Sequence, residues 1–124
     1  MNVVDSSGWL EYFANESNAG FFAPAIQAAS ELLVPSISLY EVFRRILQQK
    51  SEDEALRAVA FMMQGSVVDL TPAIALSAAV LSLRLKLPMA DSVMLATAQA
   101  YNATFWTQDA DFQNIAGVRY IQKG

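Results

Sequence analysis

At 124 residues the chain is expected to be one domain spanning 1–124, long enough to bury roughly two-thirds of the surface its unfolded form exposes. It is 54% apolar, carries a formal charge of −4 at pH 7, and has neither cysteine nor histidine. Disulfides, thiolate and histidine catalysis and the common zinc sites are thereby excluded, and its five isolated glycines can write neither a P-loop nor a GxGxxG fingerprint.

Asn2 to Asp5 (NVVD) reads as a short buried strand, and Trp9, Leu10 and Phe13 behind it have the spacing of a helix that opens at Asp5. Asn15 to Gly20 is a polar turn, Phe22 to Ser30 a short helix, and ELLVP a second strand closed by Pro35. Ser38 and Glu41 form a capping-box pattern, which predicts a helix from there to about Lys50. Ser51 followed by Glu52, Asp53 and Glu54 repeats the signature for a further helix ending near Gly65. SVVDL is a third strand, and Thr71–Pro72 then supplies an N-cap and a proline at the first helical position. The helix that follows, to Leu85, is apolar on nearly every side. Leu87–Pro88 breaks it. Ala90 to Tyr101 is helix, Thr104 to Thr107 strand and Val118 to Ile121 a last strand. Strands alternating with helices predict an α/β fold, a central, mostly parallel sheet of four to five strands with helices on both faces.

No run approaches the ~18 apolar residues of a membrane span. The first residues, MNVVDSSGW, also lack the basic and apolar regions of a secretory signal, so the expected location is cytoplasmic with no membrane partner. Mean hydropathy of +0.28 leaves apolar surface for a protein partner.

The acids fall in a pattern. Asp5 and Asp109 lie at or just past the ends of predicted strands, and Glu41 and Asp91 in the first turn of predicted helices. Each alone has a plain reading: Asp5 as a cap, Glu41 as part of a capping box, Asp91 as a charge on a helix dipole, Asp109 and Asp111 as turn residues. In a parallel sheet, however, these positions share one edge, where strands end and helices begin. Two carboxylates about 4 Å apart repel by on the order of 4 kcal/mol at an effective dielectric of 20. A divalent cation resolves that conflict, and with oxygen donors alone it must be a hard one, Mg²⁺ or Mn²⁺. Glu52, Asp53 and Glu54 read as a solvated helix start, and Glu11, Glu16, Glu31 and Asp69 carry no separate signal.

The segments VVDSSGWLEYF, VPSISLYEVFRR, MADSVMLATAQAYNATFWTQDADF and GVRYI, in this order and spacing, resemble PIN-domain proteins, most closely VapC-type toxins of prokaryotic toxin–antitoxin pairs. The resemblance implies a three-layer α/β/α fold and a metal-dependent endoribonuclease. It implies an acidic quartet of Asp5, Glu41, Asp91 and Asp109 around Mg²⁺ or Mn²⁺, with Asp111 as a neighbour able to share the last role and Ser6 and Thr107 as hydroxyls lining the site. It also implies an RNA substrate, a homodimer and an antitoxin partner. The apolar helix from Pro72 to Leu85, together with Leu56, Phe61, Met62 and Met63, is the candidate protein-binding surface. The charge of −4 runs against phosphate binding, which leaves Arg44 and Arg45, one turn after Glu41, as the substrate-binding candidates, with Lys50, Arg84 and Lys86 as a wider rim. Two other readings stand beside the nuclease: a catalytically inactive PIN-like interaction module, and a receiver or phosphatase domain with an aspartyl phosphoryl acceptor.

Overall fold

A computed structural model describes all residues, 1–124. Five short strands, β1 (Asn2–Val4), β2 (Leu32–Pro35), β3 (Ser66–Val68), β4 (Thr104–Thr107) and β5 (Val118–Tyr120), pair in the order β3-β2-β1-β4-β5, every pair parallel. Parallel neighbours need crossover connections; six helices, α1 (Ser6–Phe13), α2 (Ala19–Gln27), α3 (Ser36–Gln49), α4 (Glu52–Met62), α5 (Pro72–Leu85) and α6 (Met89–Ala100), connect β1 through β4, and a single short 3-10 turn at Ala110–Phe112 lies between β4 and β5.

Strand alternation sends successive side chains to opposite faces, so the sheet separates two cores. Val3, Leu33 and Phe105 pack with α5 and α6 on one face. Val4, Leu32, Val34 and Trp106 pack with α1 to α4 on the other. The result is a three-layer α/β/α sandwich. Gly8 lets α1 lie close to the sheet and α2, because a Cβ there would stand 2.6 Å from the Phe22 ring and 2.9 Å from Val4.

The caps expected at Ser51 and Thr71 form. Each side chain accepts from the backbone N–H three residues on, Glu54 at 3.2 Å and Ile74 at 3.2 Å. The capping box expected at Ser38 does not. Helix α3 begins at Ser36, directly behind β2, with Pro35 in the N-cap position and no side-chain cap. Ser38 is consequently inside the helix, its hydroxyl buried without a partner, and Glu41 lies in the second turn rather than the first. Helix α2 also starts earlier than predicted, at Ala19, and stops at Gln27. It carries Pro24 in its interior, where the missing N–H removes an intrahelical bond. Met62 is fully buried against α1 to α3 and is removed from the candidate partner surface, whereas Leu56 and Met63 are exposed. No single helix is long and apolar enough to cross a membrane.

Candidate active site at the sheet switch point

Strand β1 is central, with the chain progressing to β2 on one side and returning to β4 on the other. Such a reversal opens a crevice beyond the carboxyl ends of the two diverging strands, the usual ligand position in open α/β sheets. Val4 is in register with Trp106, so Asp5 and Thr107 are the next residues out along both strands. Asp5 N–H still donates to Trp106 O at 2.9 Å, and Asp5 O accepts from Gly8 N–H and Trp9 N–H to start α1. The backbone of Asp5 is thus held by sheet and helix together, leaving its side chain to other work.

That side chain is 3% exposed. Its Oδ2 accepts from Thr107 Oγ1 at 2.8 Å and from Ser7 Oγ at 3.2 Å. Thr107 Oγ1 in turn accepts from Asp109 N–H at 2.9 Å, so a single hydroxyl couples the first acid to the last. Ser6 Oγ donates to Glu41 Oε1 at 2.7 Å, tying the start of α1 to the second turn of α3. Asp91 sits in the first turn of α6. These four acids line one open cleft of about 520 Å³ with Ser6, Ser7, Leu10, Tyr40, Arg44, Arg45 and Gln48.

Desolvation pushes the Asp5 carboxyl up to about 6 from its ordinary 3.8, against the lowering effect of its bonds from Thr107 and Ser7, and the charges of Asp109 and Glu41 add to the rise. Asp91 is pushed up to about 7, first by desolvation and then by the charges of Asp5, Asp109, Glu41 and Asp111. The site therefore behaves electrostatically as one cluster. No basic side chain relieves it, since the single ion pair in the structure joins Lys50 to Glu54 at 3.8 Å on the surface.

As placed, no three of these acids close around a common point at ligating range. Mg²⁺ does not require it, because that ion keeps several waters and takes only one or two carboxylates directly. An all-oxygen donor set with uncompensated negative charge fits a hard divalent cation in kind.

Of the other predicted residues, Ser6, Arg44 and Arg45 line the cleft, and Thr107 lies buried behind Asp5. Asp111 is exposed and outside the cleft lining; its N–H caps back onto Asp109 Oδ1 at 2.9 Å, the turn geometry its plain reading expects. Lys50 instead borders a second cavity of about 740 Å³, which shares Ser7, Leu10 and Arg45 with the cleft and is also lined by Arg57, Phe61 and Lys123.

Sequence reasoning missed Ser7, Tyr40 and Gln48 in the cleft, although Tyr40, Arg44 and Gln48 follow the i, i+4, i+8 spacing of one helix face. It also missed a brace behind the site. Glu11 accepts from Asn18 N–H at 2.9 Å and from Gln108 Nε2 at 3.2 Å, and Gln108 Oε1 accepts from Asn18 Nδ2 at 2.9 Å. These bonds hold the turn between Thr107 and Asp109 against the end of α1, and nothing local in the sequence marks partners so far apart.

Among families, the model described as PIN domain matches residues 3–118. No curated protein matches the sequence. Among solved structures, a toxin–antitoxin complex from Klebsiella pneumoniae superimposes with a TM-score of 0.80 at 22% identity, covering 96% of each chain. VapC20 of Mycobacterium tuberculosis, a toxin that cleaves the sarcin–ricin loop, gives 0.74 at 16% identity over 90% of this chain and 92% of its own. VapBC2 of Rickettsia felis, bound to a DNA fragment from its promoter, gives 0.73 at 15% identity over 98% and 97%.

Proposed function

This chain belongs to the PIN-domain family, and from that premise we propose that it is a divalent-metal-dependent endoribonuclease, the toxin member of a toxin–antitoxin pair, acting as one domain over residues 1–124. The observation that carries the proposal is the meeting of Asp5, Glu41, Asp91 and Asp109 in one cleft with no cation of the protein paired to any of them. That a toxin of the same fold cleaves the sarcin–ricin loop supports RNA as the substrate class.

Asp5, Glu41, Asp91 and Asp109 would hold Mg²⁺ or Mn²⁺. When bound, the ion offsets their charge, lowers the pKa of an attacking water and stabilises the leaving oxygen of an in-line displacement. The chain's own groups do the rest. Thr107 and Ser7 fix the rotamer of Asp5, and Ser6 fixes that of Glu41, so two of the acids need not be ordered at the moment of binding. Asp91, whose carboxyl is raised by desolvation and by the charges of Asp5, Asp109, Glu41 and Asp111, marks where a cation would relieve the cluster most. Arg44 and Arg45, exposed on the cleft rim, offer charge to the phosphates on either side. Together with Lys50, Arg57 and Lys123 around the adjoining cavity, they gather most of the basic residues of a chain whose net charge is −4 onto one side. The same two cavities also carry the four acids of the cleft with Glu11, Glu16 and Glu54, so a bound cation would still be needed to offset their repulsion of phosphates.

The test is incubation of single-stranded RNA with the purified protein and Mn²⁺ or Mg²⁺. Cleavage is expected, stopped by EDTA and restored when the metal is added back. Cleavage that persists in EDTA removes the metal from the proposal. No cleavage with either ion favours the inactive interaction module.

An antitoxin is the proposed protein partner, and the cytoplasm, where RNA and antitoxin would be met, the proposed location. We also propose a homodimer through α5. There Leu76, Val80 and Leu83 recur at i, i+4, i+7 on the side away from the sheet, with Leu83 85% exposed. Leu83→Glu is expected to convert a dimer to a monomer by light scattering while the melting of the monomer is unchanged. An unaltered mass places the interface elsewhere.

A further inference from the structure

Helix α3 carries more than Glu41 into the cleft. Tyr40, Arg44 and Gln48 form one ridge along its exposed side and all three line the cleft wall beside the acids. Tyr40 precedes Glu41 directly and is 63% exposed, with none of the ring contacts that the aromatic cluster of α1 and Phe61 makes. A large aromatic ring held out beside a charged cleft has no packing duty to perform. The chemistry of the ridge is ordered: a flat ring next to an acid of the quartet, a guanidinium one turn on, a carboxamide one turn beyond that.

We propose that this ridge reads an unpaired nucleotide next to the scissile phosphodiester: Tyr40 stacks on its base, Arg44 contacts the following phosphate, and Gln48 bonds the edge of the next base. The inference rests on the nuclease reading above. It commits the substrate to a single-stranded segment, a loop or a bulge, because a base in a duplex has no free face to offer a tyrosine. Stacking on an aromatic side chain tolerates any base, so Tyr40 sets position while Gln48, which can donate and accept, sets preference.

The ring and its position are tested separately. Fluorescence anisotropy of a labelled single-stranded RNA is measured with the full chain carrying Asp91→Asn, alone and combined with Tyr40→Leu, Tyr40→Phe or Tyr40→Trp. Cleavage is measured in the same Tyr40 series with Asp91 intact. Tyr40→Leu is expected to weaken RNA binding about five- to a hundredfold, the usual range for one stacked base, with the loss in KM rather than kcat. Tyr40→Phe and Tyr40→Trp are expected to retain binding, since the face and not the hydroxyl makes the contact. An RNA with one abasic position beside the cut should lose as much affinity for the Tyr40 protein as Tyr40→Leu loses for intact RNA, and should lose nothing more with Tyr40→Leu.

Equal binding and cleavage by wild type and Tyr40→Leu overturns the stacking role and leaves the nuclease reading standing. A Tyr40→Leu protein that cuts normally but no longer forms its homodimer or antitoxin complex also overturns it, by making the ring a protein contact. RNA neither bound nor cut by the wild type overturns both.

Discussion

Asp91→Asn is expected to abolish metal-dependent RNA cleavage, by at least about a hundredfold, the upper range for residues that merely orient a metal ligand. The fold should survive, because Asp91 caps nothing: helix α6 starts with no side-chain cap bond, and its packing comes from the buried run Val93 to Ala98. Thermal unfolding supplies the reading independent of activity. A ligand present at a hundred times its dissociation constant stabilises by about 2.7 kcal/mol, so wild type should melt several degrees higher in Mn²⁺ than in EDTA. That difference should shrink or vanish in Asp91→Asn. A metal shift that persists undiminished would show that Asp91 neither holds nor orients the ion.

Metal-free protein should become less stable as pH rises from about 5 to 8, the reverse of ordinary carboxylate behaviour. The carboxyls of Asp5 and Asp91 are raised in the fold to about 6 and about 7 from 3.8. Above 3.8 the unfolded chain has given up those protons while the folded chain still holds them, so the unfolded state binds fewer and stability falls with pH. The contribution is complete below pH 3.8, is lost progressively above it, and is gone beyond the two folded values. For the buried Asp5, a shift of that size corresponds to on the order of 3 kcal/mol. Asp91 is half exposed and its share is discounted for solvent screening, and the two titrate together. A loss on the order of 1–3 kcal/mol between pH 5 and 8 in urea with EDTA is expected, reversed by Mn²⁺. Asp5→Asn should flatten the profile and leave the metal-free protein at pH 8 as stable as wild type or more so. Marked destabilisation would mean instead that Asp5 serves chiefly to fasten β1 to β4 through Thr107.

The strands and the two caps were legible because their signals are local: β-branched runs ended by Pro35 or an acid, Ser51 three residues before Glu54, Thr71 before Pro72. Alternation predicted a shared sheet edge for Asp5, Glu41, Asp91 and Asp109, but it placed Glu41 in the first turn of its helix, whereas α3 starts at Ser36 and carries it in the second. What was not legible depends on contacts far apart in the chain. Ser38 looks like a cap until Pro35 is seen to lead straight from β2 into α3, which frees Glu41 to take its bond from Ser6. Gln108 looks like a turn residue until Asn18 and Glu11 close around it. Tyr40 looks like any surface tyrosine until Arg44 and Gln48 are found beside it in the cleft.

The strand order also decides when the cleft can form during folding. Asp5 lies 102 residues before Thr107, whose hydroxyl orients it, and the strand that pairs beside it, β4, begins only at Thr104. The cleft is therefore incomplete until parallel pairing across that separation has formed, and such pairing is intrinsically slow. The acids come together only when the most distant pairing in the sheet does.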